Sequence, residues 1–415
     1  MTSPNGQFDV IVIGGGASGM MAAGTAASRG KRVLLLEKNR TLGEKLKITG
    51  GGRCNITNAE YDQEVLLRNY GTAKDFLYSP FSQFGIKDTF TFFESRNLPL
   101  IVEARKRAFP ASHKALDVYK TMEKYIKTGG VTIKTDARVE RIETKNGKIT
   151  GVVASGKQYQ AHSYIFATGG LSHPETGSTG DGFSWLQKIG HTVKKPTPTI
   201  VPLAVEDAWV KSLPGISLTF MKITFFADGK KAFSKTGKIL FTHFGFSGPL
   251  ILNSAGKVHD LLLGGGEVTA RIDCYPDTEL GALNDKIIAV FDTNKNKMLK
   301  NIFTEIVPPG TAQAILSLLS VDTSKKVHSI TKEERKEIVH LLKALPATIS
   351  GIMGFDRAVV ADGGVDLREI DTRTMRSKKY ENLFVTGDLL DITRPSGGYS
   401  LQLCWTTGYV AGQNI

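Results

Sequence analysis

The stretch Phe8–Glu37, FDVIVIGGGASGMMAAGTAASRGKRVLLLE, decides the reading of the fold. An apolar run from Val10 to Ile13 stops at three glycines, passes through a Gly/Ala-rich segment, and resumes as Val33-Leu34-Leu35-Leu36 ending on an acid. That pattern predicts strand, tight turn, helix and second strand, with G-x-G-x-x-G at Gly14, Gly16 and Gly19. Gly14 permits the turn, Gly16 lets backbone approach a diphosphate, and Gly19 lets the helix lie close to the sheet. Ala17 and Ser18 open the helix, whose free N–H groups suit phosphate oxygens. Ala22, Ala23, Ala26 and Ala27 extend the close packing, and Gly30 is placed to end the helix. Glu37, 23 residues after Gly14, is placed to accept a ribose 2′-hydroxyl and would repel a 2′-phosphate. The stretch therefore predicts FAD or NAD rather than NADP.

At 415 residues the chain has room for two or three domains. The first apolar segment carries Asp9 and runs directly into the glycine turn, so no secretory leader is expected. No uncharged run is long enough to span a membrane. Cys54, Cys274 and Cys404 are the three cysteines; their separation argues against a disulfide scaffold, a zinc site and a dithiol centre. A cytoplasmic location fits best, and no metal site is expected. The net charge of +13 raises the question of a nucleic-acid or membrane partner. The lysines (Lys222, Lys230, Lys231, Lys235, Lys238, Lys325, Lys326) are spread among Thr, Ser and Gly. They predict a solvated basic surface, with neither nucleic acid nor membrane as partner.

Beyond Glu37, Gly50-Gly51-Gly52 precede Arg53-Cys54-Asn55, a loop able to approach a flat ligand and offer backbone and side-chain donors. Residues 60–110 read as mixed helix and loop. Ser112 is placed to cap a helix whose apolar face is Ala115, Tyr119, Met122 and Ile126. Short strands follow, Val131–Ile133, Val139–Thr144, Ile149–Ala154 and Tyr164–Ala167, the last ending on Thr168-Gly169-Gly170. A helix is expected from about Gly182 to Gly190. After Pro196-Thr197-Pro198 the texture changes to β-like runs, including Ile223–Ala227 and Glu267–Ile272, with Thr242–Pro249 as an ordered loop. Residues 277–349 read as helical, with Ile287, Ile288 and Phe291 on one stripe and a capping box at Thr331 and Glu334. Near Ile349 the glycine-rich texture returns.

Leu383–Val385 reads as a strand running into Gly387-Asp388, where Asp388 could order a ribityl hydroxyl. Gly397-Gly398 then precede a helix from about Tyr399. Such a helix N-terminus would favour negative charge on a reduced flavin. A nicotinamide makes no such demand. The expected architecture is α/β: a discontinuous Rossmann-like FAD-binding domain (1–198 and 350–415), interrupted by a β-rich, barrel-like domain (199–276) and a small helical domain (277–349).

GGGASG at 14–19, GGGRCNITN at 50–58, ATGGLSHPETGSTGDG at 167–182, THFGFSGP at 242–249, GGVDLREIDTRTMRSK at 363–378 and VTGDLLDITRPSGGYSLQLCWTTGYVAG at 385–412 together resemble a bacterial family of FAD-binding oxidoreductases, aminoacetone oxidase-like or BaiN-like. The resemblance spans nearly the whole chain and implies the same discontinuous FAD domain. It implies flavin contacts at Gly16, Glu37, Gly52–Asn55, Gly387-Asp388 and Gly398–Leu401. With Gly14, Ala17, Ser18, Gly19, Lys38, Val139, Thr168, Gly169, Gly397, Tyr399 and Ser400, these make up the expected cofactor set. Departures from the family pattern fall at His173, Arg376, Asp388 and Cys404-Trp405.

The expected activity is hydride exchange between FAD and a small organic substrate, with NAD(P)H as electron donor. An amine oxidase using dioxygen, an RNA-binding or RNA-modifying flavoprotein and a non-catalytic flavoprotein are the alternatives. For proton transfer or nucleophilic chemistry the candidates are His243, Cys54 and Tyr399, each with a packing role as its alternative.

Overall fold

The computed structural model describes residues 8–415. It divides into two compact units, one formed by Met1–Thr197 with Val359–Ile415 and one by Pro198–Ala358.

The first unit is built on a five-stranded parallel sheet. Its strands are β1 (Phe8–Ile13), β2 (Val33–Leu36), β3 (Thr132–Lys134), β4 (Ala161–Phe166) and β5 (Leu383–Val385), in the order β5-β4-β1-β2-β3. Val10, Ile11, Val12, Leu34 and Leu35 are almost wholly buried, as expected of a parallel sheet covered on both faces. Helix α1 (Ala17–Ser28) follows β1, and every residue from Ser18 to Ala27 is buried. Its small side chains let it lie between the sheet and the C-terminal helix α2 (Tyr399–Gln413). A Cβ on Gly19 would fall 1.8 Å from the Gly14 carbonyl oxygen; one on Gly408 would fall 2.4 Å from that of Ser18. Both backbones touch where those side chains are missing.

Two details differ from the sequence expectation in this unit. Two strands within residues 60–110, Leu100–Glu103 and Arg107–Pro110, form a small antiparallel sheet with Thr57–Asn58. Its strands are too short for an alternating pattern to stand out. Helix Ala115–Thr128 begins after Lys114, whose side chain makes no cap, so Ser112 does not cap it. The buried face of this helix is Ala115, Val118, Met122 and Ile126.

The second unit is a closed six-stranded barrel with helices on a shared core. Around the barrel the strands run Leu203–Val205, Gly245–Ser247, Lys230–Thr242, Ser217–Ala227, Val268–Asp273 and Leu345–Ile352, the last pairing back to the first. The inner face carries Ile223, Phe225, Ile239, Phe241, Phe246 and Ile272. Thr331 and Glu334 form the expected capping box ahead of Lys332–Lys343.

The boundaries expected at 276/277 and 349/350 are therefore corrected. The helical segment shares the barrel's core, and the second boundary falls inside the closing strand Leu345–Ile352. Leu345, Ala347 and Ile349 alternate inward in that strand, but only three inward positions precede the glycines of 351 and 354. Thr242–Pro249, expected as an ordered loop, contains the barrel strand Gly245–Ser247, paired to Leu240–Thr242.

The close approach of α1 and α2 makes a direct prediction. Gly408→Ala should lower stability by about 1–3 kcal/mol, measured by chemical denaturation. Gly281→Ala, in an exposed helical position with open space around it, should instead stabilise by about 0.5–1 kcal/mol. Equal effects at the two positions would contradict the packing described.

Candidate flavin site

The carboxyl ends of β1, β2, β4 and β5 converge on one rim. Gly14 leaves β1 with φ of 103° and donates its N–H to Leu36 O at 2.8 Å. Glu37, at the end of β2, accepts from Gly15 N at 2.7 Å and Asn39 N at 2.8 Å. Burial pushes its carboxyl upward, and these backbone donors oppose that. Glu37 therefore fixes the glycine turn as well as facing the space beside it.

A pocket opens there, lined among others by Gly14, Glu37, Lys38, Val139 and Thr168. These five residues of the expected cofactor set converge in space. Arg138, Thr179, Asp181 and Trp185 also line it; periodicity gave no sign of them, because they come from a loop and a helix far along the chain. Lys38 Nζ is paired with Asp181 at 2.8 Å. Thr168 Oγ1 is buried with no hydrogen-bond partner among the described residues and packs against Gly182.

Above the turn, helix α1 starts at Gly16 with no side-chain cap. A Cβ on Gly16 would meet nothing within 4 Å, so its first N–H groups face open space, as a diphosphate requires. The Ser18 hydroxyl is turned away from that space and donates to Thr386 Oγ1 at 2.7 Å. Its backbone N–H alone is left for a ligand.

A second uncapped N-terminus belongs to α2. Gly398, in the left-handed region at φ 99°, precedes Tyr399 without a side-chain cap. A Cβ there would lie 2.3 Å from the Thr57 carbonyl carbon. The Asn55 amide oxygen accepts from Gly398 N at 3.0 Å while its nitrogen donates to Thr57 O and Ala108 O. Asn58 Nδ2 donates to Gly397 O at 3.2 Å. The loop of Gly50–Gly52, all three at positive φ, thus leads into side chains that hold the Gly397-Gly398 turn. Ser400 Oγ accepts from Arg394 Nε at 3.0 Å, and Arg394, almost wholly buried, is ion-paired with Asp388. Asp388 is thereby partly engaged within the protein. Gly387, Asp388 and Gly169 still lie along the same rim, since Gly170 abuts Asp388 and Gly387 abuts Ser18, while Ser400 and Leu401 belong to the first turn of α2.

Four residues expected to act at the site are placed otherwise. Cys54 is fully buried, and burial pushes its thiol up to about 12, so it is a packed side chain and not a nucleophile. Arg53 is not a free donor to the cofactor. Its guanidinium is held by Glu103, lies 2.7 Å from His113 Nδ1 and stacks 4.2 Å from the Phe109 ring. Glu103 and Phe109 come from the hairpin that the sequence left without strands, and His113 follows it. His243 is exposed at the turn between two barrel strands, edge-on to Phe244, and belongs to the second unit. Tyr399 packs edge-on against Tyr70, whose hydroxyl donates to the Tyr399 carbonyl, and burial raises its own phenol. It serves the start of α2 as a packing residue. Among the described residues no group of His, Cys, Asp and Glu is arranged to hold a metal, and no helix is long and apolar enough to cross a membrane.

A buried carboxylate at the end of β2, a glycine turn and two uncapped helix N-termini fit a dinucleotide whose second half is a flavin. The fold and this rim define an FAD-dependent oxidoreductase. The chain belongs to the HI0933-like Rossmann-domain family, whose profile matches residues 8–414. It is 30% identical to a 3-dehydro-bile acid delta(4,6)-reductase of Clostridium scindens over 97% of both chains. It is 26% identical to a ribosomal RNA dihydrouridine synthase of Haemophilus influenzae over 98% of both. Among solved structures it resembles the 3-ketosteroid-delta4-(5alpha)-dehydrogenase of Rhodococcus jostii RHA1, with a TM-score of 0.55, 14% identity and coverage of 100% and 98%. The 3-ketosteroid delta1-dehydrogenase of Sterolibacterium denitrificans gives 0.54, at 14% identity and 98% of both chains.

Cys54 provides a check on the site's architecture. In the folded protein at pH 8, iodoacetamide should leave Cys54 unmodified by peptide mass mapping, and unfolding in guanidinium should expose all three thiols. Rapid alkylation of native Cys54 would contradict its burial.

Proposed function

We propose that the protein reduces a carbon–carbon double bond conjugated to a carbonyl in a small organic substrate, with NAD(P)H as electron donor. FAD, when bound, supplies the hydride-carrying chemistry. The observation that carries this reading is the pair of full-length relatives. One is named for reducing a 3-dehydro-bile acid at delta(4,6), the other for making dihydrouridine. Both names denote saturation of a ring double bond, and in both compounds a carbonyl is conjugated with it.

The chain's own residues are suited to that task. The N-terminus of α2 favours developing negative charge on a group placed against Gly397-Gly398, and Asn55 and Asn58 hold that turn in place. No second G-x-G-x-x-G occurs in the sequence, which favours NAD(P)H and substrate visiting one site in turn over a separate dinucleotide domain.

A specific observation supports a second substrate class, a pyrimidine within RNA. The barrel register places Lys222, Thr224 and Phe226 opposite Thr236, Ser234 and Lys231 on one side and Asp273, Arg271 and Thr269 on the other. Lysines that look scattered in sequence thus share an outer face with Arg271, which lies 4.9 Å from the Phe226 ring. Lys222, Lys231 and Arg271 belong to no ion pair among the described residues, and basic side chains interleaved with aromatic ones suit a phosphate backbone.

Anaerobic titration of the FAD-loaded protein tests the proposal. NADH or NADPH should bleach the flavin absorbance, and a cyclic enone should restore it with formation of the saturated ketone. Bleaching by an amine, followed by rapid peroxide production in air, would replace the reading with an amine oxidase. Restoration by a uridine-containing RNA but by no small enone would favour the second substrate class. No bleaching by either nucleotide would overturn the reductase.

A further inference from the structure

Lys45 was not among the residues expected at the site, yet the segment that carries it is bound to the glycine turn. Two residues before it, Gly43 donates its N–H to Gly15 O at 3.0 Å, which binds this segment to the turn itself. The Lys45 ammonium donates to Ser172 Oγ at 3.1 Å, and Ser172 is buried. An ammonium carries three donors, and this is its one hydrogen bond among the described residues.

The charged groups around Lys45 do not supply the missing partner. Asp388 is ion-paired with Arg394, and Glu175 with His173 at 2.8 Å. The Cys404 thiol, which also faces it, is pushed up to about 12 by burial and stays neutral. The result is a cluster of two cations, half-buried Lys45 and buried Arg394, with one half-buried carboxylate, Asp388. Burial lowers the Lys45 ammonium from its usual range, so the group is held in a place that costs it solvation without a matching anion. The location narrows what that anion is. Asp388 follows Gly387, which abuts Ser18 in the first turn of α1. Lys45 thus follows by two residues a segment bound to Gly15, next to the uncapped end of α1, and its charge interacts with Asp388, whose neighbour Gly387 abuts the first turn of that helix.

We propose that Lys45 binds an oxygen of the FAD diphosphate, completing with the N-terminus of α1 the anion site that the glycine turn begins. Helix N–H groups neutralise only a fraction of a diphosphate's charge, and a lysine acts there as a point charge. The inference rests on the flavin assignment of the cradle and is independent of substrate and electron donor.

The test uses apo-protein prepared by removing flavin, as wild type, Lys45→Met and Lys45→Arg. Binding of FAD, ADP and adenosine is followed by flavin fluorescence and by competition. Lys45→Met should weaken FAD and ADP by about 10- to 100-fold, leave adenosine unchanged, and leave the reduction potential of bound FAD at the wild-type value. Lys45→Arg should recover most of the lost affinity. Unchanged ADP affinity with a shifted potential would place the ammonium at the flavin ring and overturn the proposal. Equal weakening of adenosine would overturn it too, by showing a general loss of the pocket. Failure of the flavin assignment would appear differently, as no FAD uptake by the wild type.

Discussion

The contact between the Gly14 carbonyl and the missing side chain of Gly19 is the constraint on which the flavin-bearing unit depends. A Cβ at Gly19 has no room, and its absence lets α1 start within one turn of the end of β1. The helix N-terminus is thereby fixed at the carboxyl rim of the sheet, where its N–H groups are unpaired. Glu37 clamps the same turn from β2, and Gly408 brings α2 against α1 from the other side. The helices are placed by backbone contact and the turn by the Glu37 carboxylate, so this end of the cradle has little freedom to drift. Preorganisation of this kind is what lets a site hold a large charged cofactor without reordering.

The start of α2 is held differently. Around Gly397-Gly398 the contacts are hydrogen bonds from polar side chains, with Asn55, Asn58 and the buried Arg394–Asp388 pair arranged around the start of α2. Thr57 and Thr89 both donate to Gln402 Oε1, at 2.6 and 2.9 Å, which anchors the first turn of that helix. A buried polar network satisfied in this way specifies one arrangement. The GGGRCNITN segment owes its composition to that role: glycines for the approach, and Asn55, Thr57 and Asn58 for the clamp. Arg53 and Cys54, the two residues in it with the most reactive chemistry, are turned to structural use.

What was legible in the sequence was what local pattern encodes. Strand, glycine turn, small-residue helix and second strand lie within thirty residues of one another, and periodicity and turn chemistry read them directly. So did the start of α2, because two glycines before a helix leave few readings. Barrel closure was hidden, since the closing strand follows the helical segment and pairs with Leu203–Val205 far back in the chain. Arg53 was misread for a similar reason: Glu103, His113 and Phe109 are long-range partners. Lys45 lies in GEKLKI, where three charges in four residues give no sign of which one turns inward. Long-range pairing and the direction of a single side chain are what a linear pattern does not carry.

The central claim is that this rim binds FAD, with the adenosine end at Glu37 and the flavin end at Gly397-Gly398. Acid release of the ligand from purified protein, followed by chromatographic identification and quantitation against protein, tests it most directly. The account predicts FAD at one molecule per chain after saturation, with Glu37→Ala reducing that occupancy. Recovery of NAD in place of FAD, or no flavin after incubation with excess FAD, would contradict it.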